Sequence, residues 1–389
     1  PRIQDFAKRS EEHLKGMVLP GTLFEELGID YFGPIDGHDI PELIKTLQNL
    51  KNHNKPRILH VITKKGQGME DLENNPSKFH GIAPPTSSKN EHPSYSKVFG
   101  RWLCNMAEKD NKLIGITPAM CEGSGMVEFS EKYPERYFDV AIAEQHAVTL
   151  AGGMATKGLK PVLAIYSTFL QRGYDQFIHD IALQNLDVLF AIDRAGLVGE
   201  DGPTHAGVFD LSFLRCIPNI VLMAPSSSLE LYKALNTAFS IDGPKCVRFP
   251  RGVSHMDKFI SDDSIEIGKA NIVRNGADIA IFSFGNMLDK ALEAGESLNA
   301  TVIDMRFIKP LDEELIFEIS KSHAKLISIE DNASAGGAGS AISELLQQNR
   351  IKTPLSIVGL PDTFTEHGSQ EELYDLYGLN AKNLINIAD

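Results

Sequence analysis

Residues 141–148 read Ala-Ile-Ala-Glu-Gln-His-Ala-Val and place a single carboxylate, Glu144, directly after an apolar run. The preceding residues 138–143 predict a short buried strand, and residues 145–157, which are mostly small, predict a helix. Glu144 is therefore expected at a strand-to-helix junction. Burial without a cation raises the pKa of a carboxylate and lets it share a proton with a heterocyclic nitrogen. The helix dipole alone also favours an acid in a first turn, so the spacing leaves both interpretations open.

Outward from this segment, predicted strands and helices alternate, which indicates an α/β fold. Between residues 94 and 254, strands are predicted at 188–193 and 220–224 with helices around them. Such alternation implies a mostly parallel sheet that helices cover on both faces. A second alternating unit follows a charged spacer, with strands predicted at residues 279–284, 301–304 and 326–330.

Proline-rich and polar segments of the chain predict the boundaries of its domains. Residues 1–82 contain a predicted helix that starts at Pro41, with Asp39 as its N-cap, and a predicted strand at 57–63. We interpret the neighbouring His38 as structural for that reason. Residues 83–93 hold three prolines and are typical of a linker. Domains are thus predicted at residues 94–254 and 264–389, after part of another domain in residues 1–82.

Composition excludes several classes of protein. The 389 residues carry a net charge of −14, which argues against nucleic acid or a membrane surface as the main partner. No stretch approaches the roughly 18 apolar residues of a membrane helix. The four cysteines lack the spacing of a metal site or a disulfide framework. We expect a cytoplasmic protein, and organellar targeting stays open.

Several stretches carry a resemblance to one family. Residues 139–147 read Asp-Val-Ala-Ile-Ala-Glu-Gln-His-Ala, residues 164–172 read Ala-Ile-Tyr-Ser-Thr-Phe-Leu-Gln-Arg, and residues 191–196 read Ala-Ile-Asp-Arg-Ala-Gly. Together with residues 19–28, 31–38 and 358–362, they resemble the 1-deoxy-D-xylulose-5-phosphate synthase family over essentially the whole chain. The resemblance implies a transketolase-like fold: the end of a diphosphate-binding domain, a pyrimidine-binding domain and a transketolase C-terminal domain.

The resemblance also implies an activity. Such an enzyme condenses pyruvate with D-glyceraldehyde 3-phosphate to give 1-deoxy-D-xylulose 5-phosphate and carbon dioxide, for isoprenoid, thiamine and pyridoxal biosynthesis. Its cofactors are thiamine diphosphate and Mg²⁺, and the resemblance implies a homodimer. The Gly-Asp-Gly turn that binds the metal in this family does not occur here. We therefore expect the metal ligands to lie outside this chain, on an N-terminal part of the same enzyme, without which the chain would be inactive.

Site residues follow from the resemblance position by position. Glu144 would relay a proton to the aminopyrimidine of the cofactor, and Phe169 would stack on that ring. Met120 would pack against the cofactor, although core packing is the plain alternative for both apolar residues. Lys64 or Lys65 would approach the diphosphate, and the sequence does not choose between them.

Proton transfer and acceptor binding involve a second set of matched residues. His80 and His205 match histidines that move protons, and Asp201 joins His205 at the acceptor hydroxyl and carbonyl. Asp201 and His205 lie in a loop with several glycines that follows a predicted strand, and functional sites of parallel sheets concentrate in such loops. As isolated residues, the histidines would more often belong to the surface or the core.

Phosphate recognition favours arginine, whose planar guanidinium is always charged. Arg194 and Arg251 match the arginines that hold the acceptor phosphate, while Tyr166 and Arg172 match further positions for binding substrate. Each arginine alone would be an ordinary surface charge, so these assignments depend on the joint resemblance.

Residues 334–340, Ser-Ala-Gly-Gly-Ala-Gly-Ser, imitate a dinucleotide-binding loop between a strand and a helix. Their spacing is not Gly-x-Gly-x-x-Gly, and the last domain contributes mainly to assembly in the family, so we interpret them as a tight turn. Two alternative functions stay open. One is another transketolase-like enzyme, such as a transketolase or the β component of a 2-oxo-acid dehydrogenase, and the other is a non-catalytic assembly fragment.

Overall fold

The computed structural model describes residues 22–74, 92–253 and 258–388. The chain divides into two compact units, residues 1–89 and residues 90–389. His80 and most of the predicted linker lie outside the described residues. No helix among the described residues is both long and apolar enough to cross a membrane.

The first unit contains a pair of parallel strands. α1 (Thr22–Glu26) precedes β1 (Asp30–Asp36), α2 (Ile40–Leu50) connects it to β2 (Arg57–Ile62), and α3 (Glu70–Asn74) follows. The predicted helix and strand of this region are therefore confirmed.

The start of α2 has the predicted cap. The carboxylate of Asp39 accepts the N–H of Glu42 at 3.0 Å, and Pro41 occupies the first turn, where its missing N–H costs nothing. His38 Nε2 accepts the N–H of Lys64 at 2.8 Å. His38 thus ties the start of α2 to the loop after β2, which supports its structural interpretation.

The second unit contains two sheets. The strands are β3 (Leu113–Thr117), β4 (Tyr137–Asp139), β5 (Lys160–Tyr166), β6 (Leu189–Ala195), β7 (Val221–Met223), β8 (Lys245–Pro250), β9 (Asn271–Arg274), β10 (Ile279–Ser283), β11 (Thr301–Asp304), β12 (Phe307–Lys309), β13 (Lys325–Ala333) and β14 (Leu355–Leu360). A seven-stranded sheet has the order β12-β7-β8-β6-β5-β3-β4, and a five-stranded sheet has the order β14-β13-β10-β11-β9. Among the described strands only β12 and β9 run antiparallel to their neighbours, so the prediction of mostly parallel sheets is confirmed.

Helices cover both sheets. Strand β6 shows why the larger sheet has two buried faces: Leu189 and Ala191 pack into the apolar cluster around Trp102, and Phe190 and Ile192 pack into the opposite one. The helices of this unit are α4 (Tyr95–Lys109), α5 (Val127–Lys132), α6 (Glu144–Ala155), α7 (Ser167–Leu170), α8 (Tyr174–Gln176), α9 (Asp210–Leu214), α10 (Ser228–Ser240), α11 (Leu288–Leu298), α12 (Glu313–Ser322), α13 (Ala338–Gln348), α14 (Gln370–Leu376) and α15 (Ala381–Ala388), with a π-helical segment at Phe177–Ala182.

The predicted buried strand at residues 138–143 is wrong. Only β4 forms there, at the edge of the sheet, and the exposed fractions of Phe138 and Ile142 are 37% and 80%. The strand ends because Ala141 adopts a left-handed conformation with φ +56°, which turns the chain out of the sheet. The predicted helix is confirmed, and it starts at Glu144.

Candidate active site

Glu144 is the first residue of α6, and the residue is only 4% exposed. Ala143, which precedes it, offers no side-chain cap, so the turn leaves the helix N-terminus without a hydroxyl or amide partner. Among the described residues, no hydrogen bond or ion pair reaches the Glu144 carboxylate. A buried acid without a partner is costly, and such groups concentrate at functional sites.

Three ring side chains form a stack at the carboxyl end of the larger sheet. Tyr166 ends β5, and its ring lies parallel to that of Phe169, with centroids 5.7 Å apart. The rings of His205 and Phe169 pack edge to face, with centroids 5.3 Å apart. The guanidinium of Arg194 lies 4.4 Å from the centre of the Tyr166 ring, on which it stacks. The structure thus brings together four residues that the sequence assigned to the site.

Met120 is 7% exposed and contacts the backbone at the end of β5. Its Sδ accepts the N–H of Tyr166 at 3.4 Å, which fixes the start of the turn that carries Phe169. Burial raises the pKa of Tyr166, and the positive charge of Arg194 opposes that shift. The phenol is therefore neutral and available as a donor.

Arg194 is held firmly by its own chain. Its φ is +55°, and Nη1 donates to Ser96 Oγ at 2.9 Å, to the carbonyl of Gly123 at 2.7 Å and to Asp193 Oδ2 at 2.7 Å. Burial raises the pKa of Asp193 to about 6, although Arg194 and the hydrogen bonds oppose the shift. Within the described part of the chain, Nε of Arg194 is buried without a partner. The Nη1 group of Arg194 is thus hydrogen-bonded to its own chain, whereas its Nε–H has no acceptor among the described residues.

Arg251 follows β8 and contacts the loop that carries Asp201. Its Nη1 donates to the carbonyl of Val198 at 2.7 Å and to Glu200 at 2.9 Å, and its Nε lies 3.3 Å from Asp201 Oδ2. Backbone hydrogen bonds between Gly196 and Gly207, of 2.7 and 2.9 Å, close the base of this loop. Arg251, Asp201 and the loop therefore form one connected surface.

Four further residues were assigned to the site by the sequence: Arg172, Lys64, Lys65 and His80. Arg172 is exposed, and no ion pair with it occurs in the described ranges. Lys64, in the first unit, pairs with Glu73, and that hydrogen bond lowers the pKa of the Glu73 carboxyl. Lys65 is exposed in the same loop. His80 lies outside the described residues, so its role stays a prediction.

Comparison with known proteins identifies the family. Residues 1–63 match a family model described as 1-deoxy-D-xylulose-5-phosphate synthase, residues 91–255 match the transketolase pyrimidine binding domain, and residues 268–384 match the transketolase C-terminal domain. Proteins named 1-deoxy-D-xylulose-5-phosphate synthase from Hahella chejuensis and Vibrio vulnificus are each 56% identical over 99% of this chain. The chain belongs to the 1-deoxy-D-xylulose-5-phosphate synthase family. It spans about three fifths of the length of these relatives, 61% and 63%.

Solved structures agree on the fold of this synthase-family chain. A structure described as a split gene transketolase, inactive beta4 tetramer, superposes with a TM-score of 0.67 at 28% identity, over 76% of this chain and 96% of that one. A transketolase from Campylobacter jejuni superposes with a TM-score of 0.63 over 96% of this chain and 70% of that one. At 18% identity the second likeness shows the fold alone. The predicted transketolase-like α/β fold is confirmed.

Sequence reasoning missed Glu330, a buried acid of β13. Its Oε2 accepts the N–H of Ala338 at 2.7 Å and its Oε1 accepts that of Gly339 at 2.8 Å, so it occupies the N-terminus of α13. Burial raises its pKa to about 7, despite these hydrogen bonds. The glycine-rich segment 334–340 thus binds a carboxylate of its own chain, which supports its interpretation as a turn. The only sequence signal was an acid at the end of an apolar strand.

Proposed function

We propose that this chain carries the pyrimidine-binding and acceptor-binding parts of a thiamine-diphosphate-dependent synthase. The complete enzyme condenses pyruvate with D-glyceraldehyde 3-phosphate to 1-deoxy-D-xylulose 5-phosphate and carbon dioxide. The observation that carries the proposal is Glu144, a residue that is 4% exposed and whose carboxylate has no hydrogen bond or ion pair among the described residues, in a chain of this family. The chain spans three fifths of its relatives, so the activity is assigned to the complete protein.

The residues fit the aminopyrimidine of the cofactor. Glu144 offers a carboxylate to the ring nitrogen of the aminopyrimidine, and we assign it the proton transfer to that nitrogen. Phe169 and Met120, which belong to one apolar cluster, are assigned the apolar contacts to the ring. When bound, thiamine diphosphate supplies a carbon nucleophile that takes up the two-carbon unit of pyruvate. We assign the diphosphate to Lys64 or Lys65 and the Mg²⁺ ligands to residues outside this chain.

The acceptor site combines charge with proton transfer. Arg251 and Arg194 bind the phosphate of glyceraldehyde 3-phosphate, and the exposed Arg172 adds a third positive charge. Asp201 and His205 contact the hydroxyl and carbonyl of the acceptor aldehyde, and the Tyr166 phenol donates a hydrogen bond to the substrate. His80 is assigned a second proton-transfer role from the family resemblance alone.

A homodimer is part of the proposal. Phe138 and Ile142 are exposed next to Glu144, at the edge of the larger sheet. Apolar side chains at an exposed edge are typical of a surface that another chain covers. A second copy that covers this edge would bury Ile142 and exclude water from the neighbouring Glu144.

The test is product identification by the complete enzyme with pyruvate and D-glyceraldehyde 3-phosphate. We expect 1-deoxy-D-xylulose 5-phosphate, and no product from Glu144→Ala with the fold retained. A different ketose would favour another transketolase-like enzyme, and near-normal turnover by the Glu144→Ala variant would contradict the central role of Glu144.

One observation favours a second candidate for the isolated chain. The split gene transketolase structure, 96% of which this chain covers, is described as inactive. The isolated chain would then be an assembly module that binds no cofactor. Titration with Mg²⁺ and thiamine diphosphate tests this, because tight binding without an added polypeptide would contradict it.

A further inference from the structure

Leu197 lies in the loop of residues 196–207 that carries Asp201 and His205, here called the acceptor loop. Both backbone polar groups of Leu197 are held by side chains from the last 130 residues of the chain. The N–H of Leu197 donates to the two carboxylate oxygens of Asp331, at 3.1 and 3.2 Å. Its carbonyl accepts Nε2 of Gln370 at 2.6 Å. Leu197 is fully buried, so water cannot replace either partner. The position of the loop therefore depends on residues far away in sequence.

Gln370 makes a second contact that reaches the proposed phosphate site. The same Nε2 donates to the carbonyl of Arg251 at 3.1 Å. An amide group has two N–H donors, and here each serves a different segment, the acceptor loop and the end of β8. Gln370 thus connects the two segments that carry Asp201 and Arg251.

The start of α14 and the residues before it pack against the loop with no spare room. A Cβ on Gly199 would lie 3.3 Å from the backbone nitrogen of Gln370, and one on Gly202 would overlap the His367 ring at 2.0 Å. Both glycines have positive φ, +69° and +74°, which other residues adopt with strain. This close approach leaves little freedom for the loop to shift while α14 stays in place.

Asp331 and α14 are themselves joined. The Tyr374 hydroxyl, on α14, donates to Asp331 Oδ2 at 3.2 Å, and Asn286 Nδ2 donates to that hydroxyl at 2.8 Å. Arg248 Nη2 donates to the carbonyl of Asp331 at 3.1 Å. Burial raises the pKa of Asp331, while Arg248 and the hydrogen bonds oppose the shift. The helix that carries Gln370 is thus fixed to the acid that holds the other side of Leu197.

We propose that Gln370 is a positioning residue for acceptor binding. By donating to the carbonyls of Leu197 and Arg251, it sets the Arg251 side chain and the acceptor loop to receive the phosphate of the aldehyde. This inference rests on the proposed function. It also gives the last domain a part in substrate selection, beyond the assembly role that the resemblance implied.

The kinetic test uses Gln370→Ala and Gln370→Glu in the complete enzyme, with Gln348→Ala as the matched control. Gln348 is an exposed glutamine on α13. Loss of the two donations should raise KM for D-glyceraldehyde 3-phosphate about three- to tenfold, the effect of one or two net hydrogen bonds, with KM for pyruvate unchanged. Gln370→Glu fills the same volume but donates nothing at neutral pH, so it should be impaired at least as strongly.

Substrate selectivity separates positioning from general damage. In the Gln370 variants, kcat/KM should fall more for D-glyceraldehyde 3-phosphate than for unphosphorylated D-glyceraldehyde, since Arg251 acts on the phosphate. An equal loss for both aldehydes, or full recovery in Gln370→Glu, would show that Gln370 only fills space and would overturn the proposal.

A second measurement does not need catalysis. Hydrogen exchange of this chain should show faster exchange for the peptide around residues 196–202 in Gln370→Ala, and wild-type exchange in Gln348→Ala. If exchange responds but the complete enzyme makes no 1-deoxy-D-xylulose 5-phosphate, the proposed function fails while the contact stands. Unchanged exchange in Gln370→Ala would overturn the positioning role itself.

Discussion

Two buried glutamates lie at the N-termini of helices in this chain, and their surroundings differ. The Glu330 carboxylate accepts two N–H groups from the first turn of α13. The Glu144 carboxylate, at the first turn of α6, has no hydrogen bond or ion pair within the described ranges. Both sites have the electrostatic preference of a helix N-terminus for an acid. They differ in whether the chain itself supplies the partner.

This difference separates a structural acid from a functional one. A buried acid with its donors in place stabilises the turn that provides them, and its removal leaves those donors unsatisfied. A buried acid without donors contributes little to folding, and its partner must come from outside the chain. The comparison therefore predicts opposite responses of activity and stability at the two positions.

The largest expected effect is the loss of activity on substitution of Glu144. Glu144→Gln in the complete enzyme should lower the rate of product formation by about 10²–10⁴, the usual value of a proton-transfer group. Its melting temperature should stay at or above that of the wild type, because the neutral amide is less costly to bury. Steady-state assays and calorimetry on the same protein check both. A large drop in melting temperature would place Glu144 among the structural acids.

The next largest effect is the loss of stability on substitution of Glu330. Glu330→Ala should lower the free energy of unfolding by about 2–4 kcal/mol, because two helix N–H groups lose their acceptor in a buried site. Glu318→Ala, at an exposed position of α12, is the control and should change it by less than about 0.5 kcal/mol. Urea denaturation of this chain measures both. Equal stability of the two variants would contradict the structural role of Glu330.

A smaller effect concerns pH. The pKa of Glu330 is raised from 4.5 to about 7 by burial, so the folded chain binds more protons there than the unfolded chain. Its contribution is fully present below pH 4.5 and is lost as the pH rises through 7. Glu330→Gln should remove this part of the pH dependence. Urea midpoints of both proteins between pH 5 and 8 measure it, and parallel curves would contradict the shift.

The buried Asp193 and Asp304 provide the internal reference for that experiment. Burial raises the pKa of each to about 6, so both also lower stability as the pH rises. Because they are unchanged in Glu330→Gln, only the difference between the two curves reports on Glu330.

The smallest expected effect tests the helix end beside Glu144. Ala143 occupies the N-cap position of α6 without a capping side chain. Ala143→Ser should raise the free energy of unfolding by about 0.5–1 kcal/mol by giving the first turn an acceptor. Thermal unfolding of the isolated chain measures this. A loss of stability would show that the turn at Ala141 excludes the geometry that a serine cap requires.

Part of the site was predictable, and the reason is local. Residues 141–148 predicted the helix and the junction at Glu144. The spacing of small and apolar residues that indicates a helix involves only residues close together in the sequence, so it can be recognised without the fold. The same pattern wrongly predicted a buried strand, since apolar residues at a sheet edge look the same as those in a core. Phe138 lies in β4, the edge strand of the sheet, and Ile142 lies beyond the end of that strand. The catalytic and binding roles of the individual residues stay predictions.

By itself, the sequence determined the α/β class, the parallel strands, the family and the residues proposed for the site. The tertiary structure alone decided which of them meet, as Tyr166, Phe169, His205 and Arg194 do. It alone paired Gln370 with Leu197 across 173 positions and Asp331 with Leu197 across 134. Periodicity and motifs report on neighbours along the chain, whereas these contacts arise only when segments that are distant in sequence pack together in the fold.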